Sequence, residues 1–125
     1  MPIDATLPYD ASNIFARILR GEIPNRTVYE DEHVLAFHDI NPQAPTHVLV
    51  IPKGAYVSWD DFSVRASEAE IAGFIRAVGK IAREAGLVEH GYRLLANIGQ
   101  HAGQEVPHLH IHIFAGAPLG PMLAR

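Results

Sequence analysis

A chain of 125 residues, 48% of them hydrophobic, suffices for one domain with a real core and gives no sign of a second. Ten basic against fourteen acidic residues leave a net charge of −4, which argues against a nucleic-acid surface, so any anion bound is small and held locally. With no cysteine there are no disulfides, thiol nucleophiles or thiolate ligands, and histidine is the one nucleophile the sequence advertises. Residues 1–10 carry Asp4 and Asp10 and no apolar run, and nothing later nears the roughly 18 apolar residues of a membrane span. A cytoplasmic protein without membrane contact is expected.

From Ser12 to Arg20, Ile14, Phe15, Ile18 and Leu19 recur at helical spacing, with Ser12 or Asp10 as cap and Gly21 and Pro24 as the stop. Taken alone, Ile14, Phe15 and Ile18 read as core. Thr27 to Glu30 and His33 to His38 read as strands joined at Asp31-Glu32, and the second runs through Phe37-His38-Asp39-Ile40 into the turn-rich Asn41-Pro42-Gln43-Ala44-Pro45. Asp39 is there either a turn carboxylate or the acceptor for a ribose diol, with Phe37 and Ile40 covering a base. Thr46 to Pro52 is a nearly continuous apolar run, a central strand whose one titratable residue is His47.

Residues 56–64 show no period and read as a surface connection. Ser67-Glu68-Ala69-Glu70 then forms a capping box for the longest helix, whose apolar face is Ile71, Phe74, Ile75, Val78, Ile81, Ala82 and Ala85, with Gly86 as its C-cap. Gly73 and Gly79 each cost that helix about 1 kcal/mol against alanine, which points to a close packing partner, a subunit interface among the options. Residues 91–97 read as another strand. The loop from Ile98 to Glu105 follows, where Gly99 and Gly103 let backbone amides approach a ligand such as phosphate.

That loop leads into His108-Leu109-His110-Ile111-His112-Ile113-Phe114, with histidine at every second residue, the period of a strand. Leu109, Ile111 and Ile113 then face a core, and His108, His110 and His112 stand in one row, roughly 6 to 7 Å apart. One imidazole can meet a reacting atom while the others hold it in place. Two plainer readings compete: a solvated strand face needs only polar residues, and three neutral imidazoles can hold zinc. Three histidines in a row are a poor accident, however, and neither an HExxH helix nor a cysteine pair supports a metal. No metal or cofactor is expected. The tail, residues 115–125, holds Gly116, Pro118, Gly120 and Pro121 and is too broken for regular structure.

The histidine run resembles the signature of the histidine triad (HIT) family, His-φ-His-φ-His-φ-φ with φ apolar. Asn13-Ile14-Phe15-Ala16-Arg17-Ile18, Gly21-Glu22-Ile23-Pro24, Phe37-His38-Asp39-Ile40, Pro42-Gln43-Ala44-Pro45-Thr46-His47, Val50-Ile51-Pro52-Lys53 and Asn97 with Gly103-Gln104 are similar to its Hint branch, in register over about residues 12–116. The resemblance implies a single HIT domain with short tails and an α+β fold. It further implies a five-stranded antiparallel sheet with two main helices, paired in a homodimer to ten strands. The implied partner is a purine nucleotide, and the implied activity is hydrolysis of phosphoramidates or acyl adenylates at the α-phosphorus through a nucleotidyl-histidine.

Carried over by position, the resemblance makes His110 the nucleophile, has His112 contact phosphate oxygens, and gives His108 and His47 supporting roles. Gln104 and the amides around Gly103 would hold the phosphate, Asp39 the ribose, and Asn97 the sugar-phosphate side. Ile14, Phe15, Ile18, Phe37, Ile40 and Leu49 would form the base pocket. A dinucleoside polyphosphate hydrolase and a nucleotide-binding scaffold with vestigial catalysis are the alternatives. Two departures stand out. Glu105 replaces the serine or threonine of the pattern, and a carboxylate about 4 Å from a phosphate oxygen would be repelled by roughly 4 kcal/mol at an effective dielectric near 20. Glu105 should therefore turn away, or hold a proton and act as general acid. The tail lacks a Trp-Pro-Pro-Gly-like ending, which puts the leaving-group preference in doubt.

Overall fold

The structure, a computed structural model, describes residues 2–124. In chain order its elements are α1 (Ile14–Leu19), β1 (Thr27–Glu30), β2 (Val34–His38), β3 (Thr46–Pro52), α2 (Trp59–Arg65), α3 (Glu68–Glu84), β4 (Arg93–Leu95) and β5 (Ile111–Ala115). The strands form one five-stranded sheet in the order β1-β2-β3-β5-β4. Every neighbouring pair is antiparallel. The apolar run of β3 takes the centre, as a strand buried on both faces must.

Strand alternation divides the core in two. Val34, Ala36, Val48, Val50, Ile111 and Ile113 face α3, whose Phe74, Ala77, Val78 and Ile81 cover them. On the opposite face Leu35, Phe37, Leu49 and Ile51 pack against Phe15 and Ile18 of α1. The register sets Phe37 opposite Leu49 and Leu49 opposite His112. His47, His110 and His112 thus share a face with α1. The triad lies beneath a short helix: His108 is fully buried, His110 nearly so and His112 half-buried. Ladder pairing begins at Ile111, and the Leu109 N–H bonds the Tyr56 carbonyl instead.

The helix boundaries follow their caps. Asn13, rather than Ser12 or Asp10, caps α1 by accepting the Ala16 N–H at 2.9 Å, while the Asp10 carboxylate takes the Ser12 N–H and hydroxyl. The α3 capping box at Ser67 and Glu70 forms as expected. Gly86, at φ +73°, follows the C-cap Ala85, and the Leu87 N–H returns to the Ala82 carbonyl, a Schellman-type end. A Cβ on Gly73 would stand 3.0 Å from the His33 ring, so a close packing partner lies in the same chain. The stretch taken for a surface connection contains α2, started by a reciprocal Ser58 and Asp61 box, with Tyr56, Val57 and Phe62 buried. Asp at the third helical position does the work usually given to Glu or Gln.

The fourth strand is shorter than the sequence suggests and forms the far edge of the sheet. The tail has no regular structure but is held there: the Arg93 guanidinium donates to the carbonyls of Gly120 at 2.8 Å and Pro121 at 3.2 Å. Beside β4 an apolar hollow of about 360 Å³ is lined by Trp59, Ile75, Gly79, Tyr92 and Leu94, among others. Among the described residues no helix is long and apolar enough to cross a membrane.

Candidate active site

A pocket of about 320 Å³ opens over the α1 face of the sheet. His110 and His112 line it with three apolar side chains, Phe15, Leu49 and Val106. The loop before β3 adds Asp39, Asn41 and Gln43, and the loop before β5 adds Asn97 and Gly103 to Glu105. A larger depression of about 810 Å³ lies between residues 4–9, the start of α2 and Gly99–His101, but it holds none of the clustered histidines. The clustered histidines open into the smaller one, which is the candidate site.

Hydrogen bonds to groups that can only donate or only accept fix the proton on each ring. The Gln43 N–H donates to His47 Nδ1 at 3.1 Å, so the His47 proton is on Nε2. That proton goes to His112 Nδ1 at 2.9 Å, with Asp39 Oδ2 3.4 Å from His47 Nε2, and His112 keeps its own proton on Nε2. His110 Nδ1–H donates to the His108 carbonyl at 2.7 Å, which leaves Nε2 a bare lone pair. His108 Nε2–H donates to the Pro52 carbonyl at 2.8 Å, and its Nδ1 accepts the Tyr9 hydroxyl at 2.6 Å. The outcome is asymmetric. Among the four clustered rings one bare nitrogen, on His110, and one free N–H, on His112, are left for a ligand, on rings 5.1 Å apart.

Burial keeps these rings neutral. It pushes His108 down to about 4, helped by the neighbouring His110, and His112 down to about 4, helped by His110 and His47. It also lowers His110 and His47, against the pull of the Asp39 carboxylate. A neutral His110 with an exposed lone pair is a nucleophile that needs no deprotonation at neutral pH.

Asp39, His47 and His112 also place three potential ligand atoms within 4.8 Å of one another. An ion there would need the lone pair of His47 Nε2 and hence a proton on Nδ1, the atom that accepts the Gln43 N–H. The donor set does not fit a cation.

Several expectations need correcting. Gln104 is fully buried: its Oε1 accepts the Gly99 N–H, and its Nε2 donates to the Val57 and Val106 carbonyls at 2.8 and 3.2 Å. Both amide protons are engaged, so the side chain shapes the loop and does not grip phosphate. Of the six apolar residues assigned to a base pocket, Phe15 and Leu49 line the cavity. Phe37 and Ile18 pack behind them, and Ile14 and Ile40 are exposed, Ile40 at 95%. Glu105 is exposed at the lining. Sequence reasoning missed Asn41, Gln43 and Val106, and it missed Tyr9. The turn-rich loop carried a signal for the first two; the contact of Tyr9 with His108 spans 99 residues and carried none.

A cluster of buried neutral imidazoles, set by antiparallel strands beneath a short helix, defines an α+β protein with a histidine-lined pocket. The match to the HIT domain model over residues 20–119 makes the particular kind plain: the chain belongs to the HIT family. A 13.2 kDa HIT-like protein of Azospirillum brasilense is 71% identical over 94% of this chain and 96% of its own. The purine nucleoside phosphoramidase of Escherichia coli K12 is 49% identical over 90% of this chain and 93% of its own. A histidine triad protein from Clostridium difficile, solved at 0.95 Å, superposes with a TM-score of 0.82 at 42% identity, covering 93% of this chain and 100% of that one.

Neutral buried rings link stability to pH. The unfolded chain protonates its histidines near 6.5, whereas the folded His108 and His112 resist until about 4, so between those values the unfolded state binds more protons. Unfolding free energy is therefore expected to be flat above about pH 7 and to fall steadily from about 6.5 towards 4.5, before carboxylates add their share. Urea midpoints across that range check this, and an unchanging midpoint would contradict a neutral cluster.

Proposed function

We propose that this protein hydrolyses purine nucleoside monophosphate derivatives, phosphoramidates or acyl adenylates, at the α-phosphorus through a nucleotidyl intermediate on His110. The observation that carries the reading is the pairing of one bare nitrogen on His110 with one free N–H on His112 in a single pocket. His110 Nε2 attacks phosphorus, and the bond to the leaving nitrogen or acyl oxygen breaks. A leaving amine takes a proton from water. His112 Nε2–H stabilises the charge gathering on a non-bridging oxygen. His110 becomes positive as it bonds, and its Nδ1–H already points at the His108 carbonyl, which strengthens that hydrogen bond. Water then displaces His110 and releases the nucleoside monophosphate.

Supporting residues have separate tasks in this reading. Phe15 and Leu49 offer apolar surface to the base, Asp39 accepts from the ribose, Asn97 supports the sugar-phosphate side, and amides near Gly103 face the phosphate. His47 holds His112 in its tautomer. The phosphoramidase name of the Escherichia coli relative agrees with this substrate class. Glu105, exposed at the pocket lining, is given no proton-donating role in this reading.

We also propose a homodimer formed through the β4 edge. Trp59, Ile75 and Leu94 expose 41, 53 and 48% of their surface around one hollow beside an edge strand. Joining two such edges would give the ten-stranded sheet and cover the apolar patch.

Metal-free AMP release from an adenosine phosphoramidate should be abolished by His110→Ala while AMP still binds; equal turnover by wild type and variant would end the nucleophile assignment. Glu105→Gln should keep the wild-type rate within about twofold and leave the pH profile unmoved, whereas a loss of about tenfold or more would restore the general-acid role. Leu94→Glu should halve the mass seen by light scattering. A monomeric wild type would refute the dimer.

A further inference from the structure

His108 is the triad histidine that does not line the pocket, and its ring is wholly buried. It acts through its backbone: its carbonyl takes the Nδ1–H of His110 and so decides which His110 nitrogen is bare. That carbonyl is useful only if residue 108 is itself held. Its peptide N–H goes to the Val106 carbonyl at 2.8 Å, the Leu109 N–H of the next peptide to the Tyr56 carbonyl at 2.8 Å, and the strand ladder begins only at Ile111, so beyond these two loop contacts something more must fix residue 108. The side chain does so. Its ring spans from the Pro52 carbonyl at the end of β3 to the Tyr9 hydroxyl, with Tyr9 edge-on at a centroid distance of 5.5 Å.

Tyr9 lies outside every helix and strand and outside the stretch matched by the family model. Its segment is nevertheless tied down. The Ile3 N–H bonds the Gln104 carbonyl at 2.8 Å, and four residues beyond Tyr9 the capping residue Asn13 begins α1. With the Tyr9 hydroxyl donating and the Pro52 carbonyl accepting, only one ring orientation and one tautomer of His108 satisfy both neighbours. Without the hydroxyl, the ring can turn over or move its proton to Nδ1, and residue 108 loses one of the contacts that fix it.

We propose that Tyr9 is a positioning residue for His110, acting through His108 to hold the nucleophile in its Nδ1–H tautomer. The consequence for catalysis rests on the hydrolase reading above; the consequence for the ring does not. Phe15, edge-on to both His108 at 6.4 Å and His110 at 5.0 Å, packs the pair together but offers no hydrogen bond that could replace the hydroxyl.

The test compares wild type with Tyr9→Phe, which keeps the ring and removes the donor. AMP release from an adenosine phosphoramidate, the imidazole ¹⁵N spectrum of His110 and urea unfolding are measured on both. Loss of the fixed nucleophile should lower kcat on the order of tenfold with KM changed less than about twofold. The His110 nitrogen shifts should move from those of a pure Nδ1–H ring towards the average of two tautomers. Replacing Tyr9 by 3-fluorotyrosine, which keeps a hydroxyl donor, should restore both. An unchanged His110 spectrum overturns the proposal whatever the rate, since a lower unfolding midpoint alone means a purely structural role; an unchanged kcat overturns it as well. If wild type releases no AMP, the hydrolase reading fails, and the spectra alone decide the role of Tyr9.

Discussion

Four imidazoles packed beneath one helix can stay uncharged only if each has neighbours that dictate where its single proton sits. A charged ring there would lose water with only the Asp39 carboxylate to offset the loss, and a neutral ring with an unmatched nitrogen would carry the cost of an unsatisfied polar atom. The backbone resolves this. The Gln43 N–H, the His108 carbonyl and the Pro52 carbonyl act as fixed donors or acceptors, and among the described residues no buried side-chain nitrogen or oxygen lacks a partner. Since two of those groups sit at the margins of β3 and one just before β5, the antiparallel register that seats Leu49 opposite His112 also sets the protonation of the site.

The two faces of the sheet divide stability from chemistry. On one, α3 spans 17 residues and covers a core of branched and aromatic side chains. On the other, α1 has six residues and a smaller cluster, of which Phe15 is both core and pocket wall. A site needs open volume and unpaired polar atoms, both of which weaken packing, so placing it under the smaller helix leaves the larger core intact. The loop carrying Gly103 to Glu105 is braced from within by Gln104, whose buried amide links it to Val57 just before α2.

The sequence made the sheet, the central strand and the capping of α3 legible because those features are local: period two, an apolar run and a Ser-x-x-Glu box. It misjudged α2 because seven residues hold too few turns to show a period, although Ser58 and Asp61 marked its start. The alternation around His108 was read correctly as to which residues share a face, but it gave no sign of what covers that face. Whether a strand face is covered depends on elements distant in the chain, here α1 and the segment holding Tyr9. Gln104 shows the same limit. A polar residue beside a glycine suggests a ligand, and only the fold reveals that its three partners are backbone groups of its own chain.

The hold of Arg93 on the tail gives the end of the sheet a removable guard. A cation on a border strand deters other strands from adding to it, because its charge must be shed or matched before backbones can meet. Here the carbonyls of Gly120 and Pro121 already occupy the guanidinium. Residues 120 and 121 thereby fix where that cation lies along the border, and cutting or displacing them would leave the guanidinium free to swing into solvent. Variation in so irregular a tail would then change with which chains the sheet can extend itself, without altering any residue of the sheet.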